Sequence, residues 1–414
     1  MDRQIYVLPK MSKKKDFIFN MLGSLINAGV SVLLLIFVSR IGGEQMAGEF
    51  SLAYSTAQMM YTICVFEIRN IQVTDVRREY PFGVIGGFRL ITTAAMWIFF
   101  AFFCAVKGFS GNTVAVMFIL TLYMSALAFS DLFQGNMHLN GYLSLAGMSL
   151  AGEVILAFAV FAVLFVITRT LWISAIGMTV AVILWILLFD IPYNRKISVL
   201  NLGFDLKTQK NLFLCALPLF LSAFLHQYIF NSPKYAIDGY LSPIEQSCYG
   251  YLIMPTSFIN LLSLFVFRPQ LVSISAMWVN KERSEFIKKA TFLFASVLII
   301  TVIVLGAGFF FGIPLLEFLY NSNLSGEKTS FMILLAAGGV SAFCTLIYTL
   351  MTVMRKQKYS LIAYGVAFVF AMFIPDYLVR MSGIVGAALS YLIEMAVLCA
   401  VMMALFIISL KKEK

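Results

Sequence analysis

Twenty-four of the thirty Lys and Arg residues fall in alternate gaps between about a dozen apolar stretches, and the other six are scattered singly through the remaining gaps. Short loops rich in Lys and Arg stay on the cytoplasmic side during membrane insertion, so this alternation marks a chain that crosses a bilayer many times. Each helical crossing needs about 20 apolar residues. Stretches of that length lie at 17–39, 46–68, 84–106, 113–135, 145–168, 171–190, 212–231, 244–267, 288–311, 329–352, 359–379 and 383–409. No water reaches the hydrocarbon to satisfy a bare peptide group, so spans of this length must be helices. The expected fold is an all-α polytopic membrane protein with about 12 transmembrane helices.

The charge-rich gaps give the sidedness. They hold Arg3, Lys10 and Lys13–Lys15; Arg69, Arg77, Arg78 and Arg89; Arg195, Lys196, Lys207 and Lys210; Arg268, Lys281, Arg283, Lys288 and Lys289; Arg355, Lys356 and Lys358; then Lys411, Lys412 and Lys414. The opposite gaps hold Arg40, Lys107, Arg169, Lys234, Lys328 and Arg380. With an even number of crossings, both termini of this multi-pass protein are expected in the cytoplasm. The gap 136–144 carries no Lys or Arg, so the fourth and fifth spans are oriented by parity. Basic residues run directly into a full-length first span, which predicts no cleaved leader.

Only 12% of residues are charged, against about 25% in soluble domains. The net charge of +10 sits in short loops, where it sorts loops and meets anionic lipid; no nucleic-acid partner is expected. Six cysteines stand singly in or beside spans without a C-x-x-C pair, as small packing residues.

The basic segment 191–211 divides the spans six and six. Three weak echoes cross it. Glu44-Gln45 with Gly48 and Phe50 matches Glu245-Gln246 with Tyr249 and Tyr251. The run Phe66-x-Ile68-Arg69 matches Phe265-x-Phe267-Arg268. Asn20, Ser24, Asn27 and Ser31 share their phase with Asn211, Cys215, Pro218 and Ser222. These predict two six-helix bundles related by a parallel pseudo-twofold repeat, the plan transporters use with the substrate site between halves. The domain reading is 1–190 for the first bundle, 191–211 for a cytoplasmic basic linker, and 212–414 for the second bundle.

No P-loop, D-x-D or H-E-x-x-H motif is present, and there are two histidines, His138 and His226. No loop gathers a nucleophile with a base, so an enzyme is not expected, nor a cofactor or metal. Polar residues instead form helical stripes with spacings of 4, 3 and 4: Asn20, Ser24, Asn27, Ser31; Ser51, Ser55, Gln58, Thr62; and Ser341, Thr345, Tyr348, Thr352. Each lies on one helix face and must point away from lipid. Packing between helices accounts best for the last stripe; the Asn- and Gln-bearing stripes suit a cavity. Acids inside spans mark ion pathways or paired charges, which makes Asp131, Glu153 and Glu394 candidates for ion coupling. Asp131, Gln134 and His138 share a face. Glu67 has a structural alternative, an ion pair with Arg89 or Arg268. Basic residues that face a cavity would hold an anionic substrate: Arg40, Arg69, Arg268 and Lys234, with Asn27 and Gln58 beside them, and Arg380 as a further candidate.

The stretches Lys15–Ser24, Arg40–Ser51 and Phe66-Glu67-Ile68-Arg69-Asn70-Ile71-Gln72-Val73-Thr74-Asp75 resemble bacterial polysaccharide flippases of the O-antigen and capsule branch. These belong to the superfamily that also holds the multidrug exporters and the peptidoglycan lipid flippase. The likeness covers about the first eighty residues; beyond them it is carried by span count and the six-plus-six repeat. It implies translocation of undecaprenyl-pyrophosphate-linked oligosaccharide repeat units by alternating access, membrane lipids and other polysaccharide-assembly proteins as partners, and a cationic cavity to which Arg40 and Arg69 would contribute. Arg268 enters through the internal repeat alone. Two other readings stay open: a multidrug or small-cation antiporter, which predicts an acid-lined cavity with little net positive charge, and a membrane polymerase or ligase, which usually needs a large outer loop that this chain lacks.

Overall fold

The computed structural model describes residues 12–75, 77–109, 111–267, 270–356 and 358–411, with the side chains of Lys13 and Val272 outside that description. Every regular element among them is helical. Among the described residues, ten continuous helical runs are long and apolar enough to cross a membrane. Two are too long to cross once. Lys13–Val65 has 53 residues and Lys358–Lys411 has 54, about 80 Å each at 1.5 Å per residue, against about 30 Å of hydrocarbon.

Each long run breaks once, the first at Gly43 and the second at Ser382-Gly383. Gly43 has φ 83° and ψ 177°, a region open essentially to glycine alone, and Gly383 has φ 56° and ψ −131°. The chain reverses at both. Gly386 packs against the Leu378 carbonyl, eight residues back, where a straight helix would hold them about 12 Å apart. Residues 11 to 16 positions either side of Gly43 line one cavity. The chain therefore makes twelve crossings: α1 (13–42), α2 (44–65), α3 (Phe82–Lys107), α4 (Gly111–Leu139), α5 (Leu143–Thr168), α6 (Leu171–Ile197), α7 (Leu206–Tyr240), α8 (Pro243–Phe267), α9 (Arg283–Tyr320), α10 (Ser325–Val353), α11 (358–381) and α12 (384–411).

The outer surface is what lipid requires. Along α3, Ile98, Phe102 and Val106 repeat every four residues and are 73%, 62% and 65% exposed, an apolar stripe that water would not tolerate. This is a multi-pass membrane protein.

The helices form two compact units, Met1–Gly42 with Ala53–Phe224, and Gly43–Leu52 with Leu225–Lys414. In the first, α4 is the helix most enclosed by its neighbours and packs on α3, α5 and α6. In the second, α10 has that role and packs on α8, α9 and the α11–α12 pair. The enclosed helix is the fourth of its six in both cases, in keeping with the repeat. Phe66 anchors the start of α7 to the first unit, stacked on Phe220 at 4.1 Å between ring centroids and on Phe213 at 5.4 Å.

The unit boundary falls within α7, between residues 224 and 225, and the basic segment 191–211 is mostly regular structure. Residues 191–197 continue α6 and 206–211 begin α7. Only 198–205 is a connecting strap, and it is bound: Gly203 N–H donates to the Gly83 carbonyl at 2.9 Å, and Gln209 Nε2 of α7 donates to the Gly203 carbonyl at 3.2 Å. Hydropathy truncates helices at their first charged turns, and so makes this connection look longer than it is.

Candidate functional site

A cavity of about 500 Å³ opens inside the first unit, within the about 300–1,000 Å³ typical of small-molecule sites. The α1–α2 hairpin supplies Asn27, Ser31, Tyr54, Gln58 and Tyr61. The two stripes with 4, 3, 4 spacing thus meet across the Gly43 turn. Opposite stand Tyr123, Asp131 and Gln134 of α4 and Glu153 of α5, and Arg69 reaches in from the short helix Ile68–Thr74.

The wall at Arg69 is an ion-pair network. Arg69 Nη1 lies 2.6 Å from Asp131 Oδ1 and donates to the Asp131 carbonyl at 2.9 Å. Arg89, its side chain 1% exposed, meets Asp131 Oδ2 at 3.2 Å and donates to the Cys64 carbonyl at 2.7 Å. One carboxylate therefore serves two guanidinium groups. The structural alternative for Glu67 is an ion pair with Arg89 or Arg268; here Arg89 turns to Asp131, and Glu67 accepts from Asn70 Nδ2 at 2.9 Å. The cause is local backbone: Phe66 and Glu67 both adopt positive φ, 49° and 54°, which ends α2 and redirects the chain.

Deeper in the unit lies a second acidic group. Glu153 is buried; its Oε1 accepts from Gln134 Nε2 at 2.9 Å and its Oε2 has no hydrogen-bond partner. Asp190, fully buried, accepts from Ser149 Oγ at 2.6 Å and from Ser130 Oγ at 2.7 Å. Gln134 Nε2 also approaches both hydroxyls, at 3.0 and 3.3 Å. Among the described residues, no ion pair reaches either Glu153 or Asp190. A buried carboxylate without a counter-charge is costly to keep ionised, so this pair is suited to taking up and releasing a proton or a monovalent cation. No group of three or more acidic, His or Cys side chains placed to hold a metal occurs among the described residues.

Asp190 escapes sequence reasoning because it sits where the sixth apolar stretch ends and reads as a boundary residue. The structure draws it inward through a π-helical widening at Ile186–Asp190, just ahead of Pro192. Such bulges recur at functional sites, and the available signal is an acid two positions before a proline at a span's end.

Of the site residues expected from sequence, Asn27, Gln58, Arg69, Asp131 and Glu153 come together here. Arg40 does not line this cavity; it is exposed, three positions before the Gly43 turn. His138 lies beyond the cavity lining on α4. Arg268 lies outside the described residues. Lys234 and Glu394 belong to the second unit, both buried, with Ser232 Oγ donating to Glu394 Oε2 at 2.9 Å. The α10 stripe is a packing surface: Asn260 Nδ2 donates to Ser341 Oγ, and Thr345 Oγ1 donates to Asn260 Oδ1, both at 3.1 Å.

No family model matches the chain, and no curated protein does. Solved structures do match over nearly the whole length, and this chain shares their fold of twelve helices in two bundles. One is the inward-facing conformation of a multidrug resistance MATE family transporter, with TM-score 0.68 and 12% identity over 97% of this chain and 99% of that one. Another is a Pyrococcus furiosus MOP superfamily transporter, described as having a binding pocket of reversed polarity that suggests a different function, with TM-score 0.57 and 14% identity over 96% and 95%. A third is the Vibrio cholerae MATE transporter VcmN in a bent form, with TM-score 0.56 and 14% identity over 97% of each chain. At such identities the likeness is one of fold.

Proposed function

We propose that this chain is a secondary transporter that works by alternating access, is driven by a proton or sodium gradient through the carboxylates of its first unit, and performs no covalent chemistry. The observation that carries the reading is the cavity's charge. Two carboxylates, Asp131 and Glu153, line it against one guanidinium, Arg69, which is held by Asp131. A site that must be neutralised to be stable couples ion binding to conformation, because an ion that binds one state better shifts the population toward it. An amphipathic organic cation suits such a wall, and the structural neighbours described as multidrug transporters point the same way.

A lipid-linked cargo is the second reading, favoured by one observation: Arg69 lies in the stretch that resembles polysaccharide flippases, and it lines this cavity. On that reading the cargo is an undecaprenyl-pyrophosphate-linked repeat unit for O-antigen or capsule. The guanidinium would meet the pyrophosphate, Lys234 and Arg268 are further candidates to meet the headgroup, Glu394 joins the acids as an ion carrier, and polysaccharide-assembly proteins are the partners. Both readings put the protein in a bacterial inner membrane with cytoplasmic termini.

The test is a gene deletion in the host, complemented by wild type and by Glu153→Gln. Loss of gradient-driven efflux of a fluorescent organic cation, with surface glycan intact and efflux restored by wild type alone, supports the cation antiporter. Loss of surface glycan, with lipid-linked oligosaccharide accumulating on the cytoplasmic face, supports the flippase. A deletion strain that shows neither phenotype refutes both.

A further inference from the structure

At the basic end of the second unit, where α10 turns into α11 and α12 finishes, a recess of about 140 Å³ opens. Lys356 and Tyr359 form its rim, and Ile362, Leu405 and Ile408 form its floor, with buried Ser409 beside them. We propose that this recess binds the phosphate-bearing headgroup of an anionic glycerophospholipid, one acyl chain lying along Ile362 and Ile408.

The tight turn after α10 builds the rim. Arg355 adopts φ 57°, Lys356 N–H donates to the Met351 carbonyl at 2.8 Å, and Tyr359 N–H donates back to the Lys356 carbonyl at 3.0 Å. Arg355, Lys356 and Lys358 thus fall within four residues, and Lys411 ends α12 two residues past Ser409 of the recess. Among the described residues, no acidic side chain lines the recess. The carboxyl ends of α10 and α12 each oppose an anion with about half a charge, and the amino end of α11 favours it by as much; the Lys356 ammonium in the lining, with Arg355, Lys358 and Lys411 in the adjoining turn and helix end, outweighs that balance. The floor is turned outward, with Ile362 53% and Ile408 48% exposed. A polar, cationic rim above a lipid-facing apolar floor matches a phospholipid at the depth where its headgroup meets its chains, and the site lies on the face that the positive-inside bias assigns to the anionic cytoplasmic leaflet. The volume is well below the about 300 Å³ at which drug-sized pockets begin, so the occupant is a small headgroup. None of these residues belongs to the first-unit cavity, and the inference stands apart from the cargo.

The experiment is native mass spectrometry of the full chain released from nanodiscs of equal phosphatidylglycerol and phosphatidylcholine, with inorganic phosphate as a separate competitor. The expected result is selective retention of phosphatidylglycerol, reduced about fivefold in Lys356→Gln, kept in Lys356→Arg, and reduced in Ile408→Glu. A thermal melt of each variant separates misfolding from lost binding. Equal retention of the two lipids, or unchanged phosphatidylglycerol in a folded Lys356→Gln, overturns the site. Displacement of the lipid by millimolar phosphate also overturns it, because the apolar floor would then contribute nothing.

Discussion

Replacing Asp131 by Asn should destabilise the first unit through Arg89 more than through Arg69. The Arg89 side chain is 1% exposed and the Arg69 side chain 28% exposed. An ion pair open to solvent contributes about 0–1 kcal/mol, whereas stripping the partner from a buried charge costs about 3–5 kcal/mol. Arg89 Nη1 also donates to the Cys64 carbonyl at 2.7 Å, a partner the substitution leaves in place, so the lower end, about 3 kcal/mol, applies. For a cooperative unit of roughly two hundred residues that corresponds to a fall in melting temperature of about 6–12 °C, whereas Arg69→Ala should lose no more than about 4 °C. Melting in detergent, followed by intrinsic fluorescence, measures both. The double variant Asp131→Asn with Arg89→Met is the decisive comparison, since exchanging a buried pair for packed apolar volume is often neutral. It should recover at least half of the loss. An Asp131→Asn melt within about 2 °C of wild type, or a double variant less stable than the single, refutes the reasoning.

Glu153→Gln keeps the acceptor for Gln134 and removes only the titrating group; gradient-driven transport should fall at least tenfold in reconstituted vesicles while the melt stays within about 2 °C. Gly43→Ala forces a Cβ into a conformation reserved for glycine, costing about 1–3 kcal/mol, seen as a lower melting temperature. At the start of α7, Thr208 donates to the Asp205 carboxylate through both its N–H and its hydroxyl. These bonds hold the carboxyl below its ordinary value. A depressed folded value contributes stability above the unfolded value of about 3.9 that is lost as pH falls through the folded value. The melting difference between wild type and Asp205→Ala should therefore persist at pH 5–7 and close at lower pH; a difference that grows on acidification refutes it.

Hydropathy alone locates all twelve crossings, because lipid imposes length and apolarity on every one of them. It misses the ends. The ninth stretch reads as 288–311, yet α9 runs to Tyr320, because a π-helical turn at Gly308–Gly312 lets the helix pass Pro314 without stopping. Part of the cavity is legible too: the spacing of Asn27 with Ser31, and the place of Gln58 in the second stripe, assign them to inward faces, and the hairpin at Gly43 brings the faces together. Partner choice is not. Nothing in the run Phe66–Asn70 shows that two consecutive residues of positive φ turn the chain there, with Arg69 and Arg89 both meeting Asp131. Asp190 is hidden for the related reason that a bulge, and no periodic signal, turns it inward.

The strap 198–205 bears on where this protein can be cut. A polar connection midway along the chain is the obvious point at which to split the gene, insert a reporter or seek a protease site. Yet a methyl group added to Gly83 would sit 1.9 Å from the Asn201 carbonyl oxygen, and one on Gly87 would sit 2.2 Å from that of Gly203. The strap is seated on the backbone of α3, and lifting it would strip the Gly83 carbonyl of the Gly203 N–H that the fold supplies. Fragments separated here should reassemble poorly, and limited proteolysis should spare this connection while the bilayer-facing helices around it remain folded.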